Sequence, residues 1–108
     1  MEIQTSEKHC ILTPLSPKLD EYQVSRLEEE IQNHPDLSIG IDLSFVEDCT
    51  IEFLEAIKSM KAGIFNIPSD IFSLLNMMNL DKSVALYTTE EDFILDKHRL
   101  LSRKFFVV

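Results

Sequence analysis

The sequence predicts a small α/β domain, with a mixed, mostly parallel sheet of four to five strands and about four helices. Three observations carry that expectation. Short segments of alternating apolar residues, bounded by Pro and polar turns, recur along the chain. Between them lie stretches whose apolar residues repeat at helical spacing, so strands and helices alternate and the crossovers between strands are right-handed. The chain has 108 residues, which suits a single domain spanning 1–108 with a core that needs no staples.

The elements follow in order. Residues 1–8 are polar and form a weak edge strand or a frayed end. Residues 9–15 carry Ile11, Leu12 and Leu15 as a strand, stopped by Pro14 and Pro17. Asp20 can cap a helix, with Gln23 three residues later in a capping-box arrangement. In that helix Val24, Leu27 and Ile31 share one face, and Asn33-His34-Pro35 ends it. Over 38–45 the residues Ile39, Ile41, Leu43 and Phe45 point one way, and Gly40, Asp42 and Ser44 the other. Residues 46–50 form a polar turn into a second helix, 50–60, with Phe53, Leu54, Ile57 and Met60 inward. Residues 63–67 make a strand closed by Pro68. Ser69 then caps a helix whose apolar set is Ile71, Phe72, Leu74, Leu75 and Met78, with Met77-Met78 as adaptable core filling. Residues 83–87 form a last strand. Thr88 with Glu91 opens a final helix through Phe93, Ile94, Leu100 and Leu101.

Composition narrows the function. The net charge is −9, and an acidic domain gains nothing from counterion release, so no nucleic-acid partner is expected. The charge is uneven. Residues 1–96 hold all 19 acidic side chains against six basic ones, a net −13, whereas 97–108 hold Lys97, Arg99, Arg103 and Lys104 and no acid. That basic, aromatic tail is either a solvated end or a segment that docks on a partner or on a second copy as a homodimer contact. No apolar run is long enough to span a membrane and the start lacks a signal peptide, so a cytoplasmic protein with no membrane insertion is expected. Cys10 and Cys49 are then reduced thiols. His9, His34 and His98 show no metal-ligand spacing. No metal and no cofactor are expected, and no Gly-rich phosphate loop follows any strand.

Across 39–54 the chain resembles a STAS domain, the family of bacterial anti-sigma factor antagonists. That family has an apolar strand ending Asp-Leu-Ser, then Asp-Ser-Ser-Gly-Leu opening a helix. Here Ile41-Asp42-Leu43-Ser44 matches the first part, and Asp48-Cys49-Thr50-Ile51 stands at the second. Leu19-Asp20 resembles the family's Leu-Asp helix start. Asn66-Ile67-Pro68 and the run from Leu74 to Leu80-Asp81 resemble its closing helix, so the likeness covers about 10–95. The resemblance implies a non-enzymatic interaction module that binds an anti-sigma factor or a related kinase-like ATPase.

The departures are specific. Regulated members are phosphorylated on the Ser after the second Asp; here that residue is Cys49, Thr50 carries the nearest hydroxyl, and Ile51 replaces the Gly. Pro17-Lys18 replaces the family's Gly before Leu-Asp, and 59–63 is a short connection. The resemblance implies a partner surface made of Asp20, Tyr22, Glu47, Asp48, Cys49, Thr50, Ile51 and Glu52, with Thr50 the candidate phosphorylation site. At a helix start free N–H groups favour one anion, but Glu47, Asp48, Glu52 and Glu55 crowd this one, so an added phosphate would be repelled there. The bland reading is that Thr50 only caps the helix. Two alternatives remain: a STAS scaffold in another assembly such as a membrane-transport complex, or an enzyme. The enzyme would use Cys49 as a thiol with His9 as base, or Asp42 or Asp48 as a phosphotransfer acceptor on Mg²⁺.

Overall fold

The computed structural model describes residues 1–96; the basic tail, with Leu100 and Leu101, lies outside the described residues. In chain order the elements are β1 (Glu2–Thr5), β2 (His9–Thr13), β3 (Lys18–Leu19), α1 (Glu21–Asn33), β4 (Ser38–Asp42), β5 (Asp48–Cys49), α2 (Ile51–Ala56), β6 (Gly63–Phe65), α3 (Ser69–Met77), β7 (Ala85–Leu86) and α4 (Glu90–Ile94). One 3₁₀ turn, Ile57–Ser59, prolongs α2, and another, Leu80–Lys82, follows α3. The main sheet runs β1-β2-β4-β6-β7, and β3 and β5 form a separate two-stranded ribbon. β1 is antiparallel to β2; the other pairs are parallel. Among the described residues, the mixed, mostly parallel sheet with four helices is therefore as expected.

From β2 to β7 each new strand adds on the same side of the last. Right-handed crossovers then place α1, α2 and α3 on one face. Strand alternation turns Cys10, Leu12, Ile39, Ile41, Ile64 and Leu86 into that helical layer, where they meet Val24, Leu27, Phe53, Leu54, Ile57, Ile71 and Leu75. Because the order never reverses, the sheet has no switch point with helices splayed to either side, the usual ligand crevice of open α/β sheets.

The opposite face carries a second, smaller core of Ile11, Phe65, Tyr87 and Phe93. Register lines up Ile11, Gly40, Gly63 and Ala85 across neighbouring strands. Gly40 and Gly63, the chain's two glycines, form the floor under Phe93 of α4. A Cβ on Gly40 would stand 2.6 Å from Phe93 Cε2, and one on Gly63 2.8 Å from Phe93 Cδ1. Around that ring Phe65 stacks with centroids 5.7 Å apart, Tyr87 meets it edge-on at 5.5 Å, and His9 edge-on at 5.7 Å. The Tyr87 hydroxyl donates to Asp96 Oδ1 (2.6 Å), holding the end of α4.

Several local expectations are corrected. The strand read over 38–45 ends at Asp42, whose Oδ1 accepts from the Ser44 N–H (3.0 Å), from the Ser44 hydroxyl and from Asn66 Nδ2 (3.0 Å). That side-chain turn breaks the alternation, so Phe45 is 59% exposed and Val46 enters the core instead. β2 stops before Pro14, which leaves Leu15 outside. Pro68 occupies the cap position of α3 and Ser69 is its first residue, with no side-chain cap. α4 is capped by Thr89, which accepts from the Asp92 N–H (3.2 Å), one residue later than expected. Met77 and Met78 are exposed at 78% and 41%, so they do not fill the core.

Replacing Phe93 by Ala should cost about 3–5 kcal/mol of stability, the range for emptying a buried aromatic site. Gly40→Ala alone should cost about 1–3 kcal/mol by overpacking. In a Phe93→Ala background Gly40→Ala should become nearly neutral, which urea unfolding of the double-mutant cycle would show. Additive costs would contradict the stacked arrangement.

Candidate functional site

The ribbon is the local device that assembles the candidate site. Residues 46–50 read as a polar turn, yet Asp48 and Cys49 pair in parallel with Lys18 and Leu19. Two residues per strand are too few for any periodicity to show in sequence. Main-chain bonds extend the pairing: the Pro17 carbonyl accepts from Glu47 N (2.7 Å) and Asp48 N (3.0 Å), and the Leu19 carbonyl from Thr50 N (3.0 Å). Both strands run straight into helices, so the starts of α1 and α2 lie side by side, with Asp20 and Thr50 each one residue beyond the Leu19–Cys49 pair. The sequence-predicted set from two distant segments, Asp20 and Tyr22 with 47–52, thus stands at one end of the molecule, beyond the carboxyl ends of β2 and β4.

The two helix starts differ. Asp20 caps α1, its Oδ1 accepting from Gln23 N (3.1 Å), as expected. Thr50 sits in the cap position of α2, but its hydroxyl donates to the Leu19 carbonyl (3.3 Å) and makes no cap bond. The expected capping role is therefore replaced by a tie between the two helix starts. α2 has only six residues, so its end charge is small and surrounded by acids.

Cys49 is packed in the helical-layer core at 9% exposure, and its N–H donates to Asp48 Oδ1 (2.8 Å). Burial first, and the Asp48 carboxylate second, push the thiol from its ordinary 9.0 up to about 11. Cys10 is also raised, by burial and then by Glu30. His9 leans on Phe93 across the sheet from the core that holds Cys49, so the Cys49–His9 pairing is not formed. Asp42 is engaged by Ser44 and Asn66, and among the described residues no group of three His, Cys, Asp or Glu is placed to hold a metal ion.

The outer surface of this end is apolar and acidic at once. Tyr22 is 65%, Ile51 59% and Leu15 54% exposed, and Phe45 joins them. Asp20, Glu47, Asp48 and Glu52 are exposed among them. Leu15 and Phe45 were missed as surface residues because each extends an apolar strand pattern. The signals that end those strands, Pro14 and the Asp42-x-Ser44 turn, are both legible.

Neither thiol should label in the native state near neutral pH, and both should react on unfolding. A raised native pKa means the folded protein keeps a proton that the unfolded chain loses. Cys49 should therefore contribute full stability below about pH 9 and lose it between about 9 and 11. Chemical unfolding across that window should show a shallower alkaline decline in Cys49→Ala than in the native sequence. Labelling of native Cys49 with a midpoint well below 9 would contradict the burial described.

No protein-family model matches the chain, and no curated protein matches it. Solved structures do. TM1081 of Thermotoga maritima, assigned as an anti-sigma factor antagonist, superposes with a TM-score of 0.66 at 18% identity, over 88% of this chain and 92% of that one. The anti-sigma factor antagonist SpoIIAA in its unphosphorylated form gives 0.63 at 8% identity, over 88% and 94%. Its phosphorylated form, from Bacillus, gives 0.55 at 10% identity, over 88% and 96%. At such low identities the likeness is one of architecture, and the chain has the STAS-like fold of the anti-sigma factor antagonists.

Proposed function

We propose that this single-domain protein is a non-enzymatic interaction module of the anti-sigma factor antagonist kind. It works in the cytoplasm and binds an anti-sigma factor or a kinase-like ATPase. Its contact surface is the end face carrying Asp20, Tyr22, Glu47, Asp48, Thr50, Ile51 and Glu52; Cys49, expected among them, is buried in the core and lies beneath that face. The observation that carries the reading is the ribbon: it clamps two helix starts together and leaves Tyr22 and Ile51 exposed among carboxylates. Large apolar side chains grouped on a surface mark an interaction site, and aromatic anchors at such a centre contribute most to binding.

Control by phosphorylation at the family's serine position is not available to Cys49. Thr50 is the hydroxyl that a kinase partner would meet. A phosphate there would break the bond to the Leu19 carbonyl and add charge beside Asp48 and Glu52, which releases a partner by repulsion. The segment 97–108 offers a homodimer contact in the same reading.

Retention of host proteins on the immobilised chain, followed by their identification, tests the reading. A kinase-like ATPase supports it; transport subunits would favour a STAS scaffold instead. With the retained regulator purified, Thr50→Glu and Ile51→Asp should each weaken the complex by about 1–3 kcal/mol, the scale of a misplaced charge at a desolvated contact. Calorimetry giving native affinity for both variants would overturn the assigned face.

A further inference from the structure

Residues 97–108 combine Lys97, Arg99, Arg103 and Lys104 with Phe105-Phe106-Val107-Val108. The end face built by the ribbon has the complementary chemistry: exposed Asp20, Glu47, Asp48 and Glu52 around exposed Leu15, Phe45 and Ile51. We infer that this face accepts residues 97–108 of a second copy of the chain, the basic side chains among the carboxylates and the aromatic pair against the apolar residues. The inference rests on the end face being a docking surface, as proposed above, and names a second occupant for it.

Position favours a second copy over the same one. Asp96 lies beside a groove of about 510 Å³ that is also lined by Ser38, Lys61, Gly63 and Ser83, at the amino ends of β4, β6 and β7. The end face lies beyond the carboxyl ends of those strands, and its helices lie on the other face of the sheet. Within one copy the segment would have to run the length of the sheet and round its edge. Phe105 and Phe106 stand nine and ten residues after Asp96, a reach of at most about 35 Å, and that path would hold the segment extended along it. A second copy meets no such limit, and reciprocal exchange of the segment closes as a dimer. The net −13 of each 1–96 body opposes approach at long range, but salt screens it beyond about 8 Å under physiological conditions, while the contact pairs act inside that distance. The consequence is competition: a dimer covers the face that the regulatory partner needs.

Sedimentation velocity of the full chain, from micromolar to millimolar concentration, tests this without any partner. The native sequence should pass from monomer to dimer. Glu47→Lys with Glu52→Lys should raise the dimer dissociation constant about tenfold or more, and so should Arg103→Glu with Lys104→Glu. The protein carrying all four changes should recover dimerisation, because the charge pairs are reversed together. Circular dichroism checks that each variant keeps its fold. A native chain that stays monomeric throughout, variants that dimerise as well as it does, or a fourfold variant without recovery would each overturn the inference. A monomer that still retains the regulatory partner would do so while leaving the proposed function standing.

Discussion

One carbonyl organises the ribbon end of this protein, the end proposed to meet a partner. The Leu19 oxygen accepts from both the backbone and the side chain of Thr50, across 31 residues of sequence. With the Pro17 carbonyl bonding Glu47 and Asp48, it converts two loops into a parallel ribbon. Everything assigned to the surface depends on this: the adjacency of α1 and α2, the burial of Cys49, and the outward presentation of Tyr22 and Ile51. Pairing of main-chain groups, not a catalytic constellation, is what brings these residues together. Loops that carry function on a rigid scaffold are common; here the loop is made rigid by borrowing the geometry of a sheet.

The sheet divides the labour between its faces. One face packs three crossover helices into the larger core. The other is closed by α4, whose Phe93 reaches the backbone because Gly40 and Gly63 offer no side chains. That contact keeps the short helix on the sheet with few residues, and it fixes Asp96 at the amino ends of the strands through Tyr87. The ribbon end and Asp96, the last residue before the basic segment, thus stand at opposite ends of the same strands. This separation is the ground for the proposed exchange of that segment between copies.

Most of the sheet was legible in the sequence, because β4 alternates Ile39 and Ile41 with Gly40 and Asp42, the apolar run of β2 is bounded by Pro14, and the core positions of α1 recur every three to four residues. The order of elements, and the likeness to STAS domains in Asp42-Leu43-Ser44 and around Asp48, pointed to the observed architecture. What escaped had local physical causes. β3 and β5 hold two residues each, so pairing with a distant partner left no pattern to read. Phe45 continued an apolar alternation that the Asp42 turn interrupts, and Val46 filled the place assigned to it. Met77 and Met78 followed the helical period of α3, but the helix ends at Met77 and Asn79 takes a left-handed φ of 58°, which turns that end to the outside. The Thr50 hydroxyl was expected to cap its helix, and the ribbon offered it a carbonyl instead.

The central claim is that the ribbon end, and not another surface, meets the regulatory partner. Hydroxyl-radical footprinting of the protein alone and in complex with its retained partner reads this directly, since Tyr22 and Phe45 at one end and Met77 at another are all exposed and oxidisable. The account predicts that Tyr22 and Phe45 become protected in the complex while Met77 keeps its reactivity. Protection of Met77 with Tyr22 and Phe45 unchanged would contradict it.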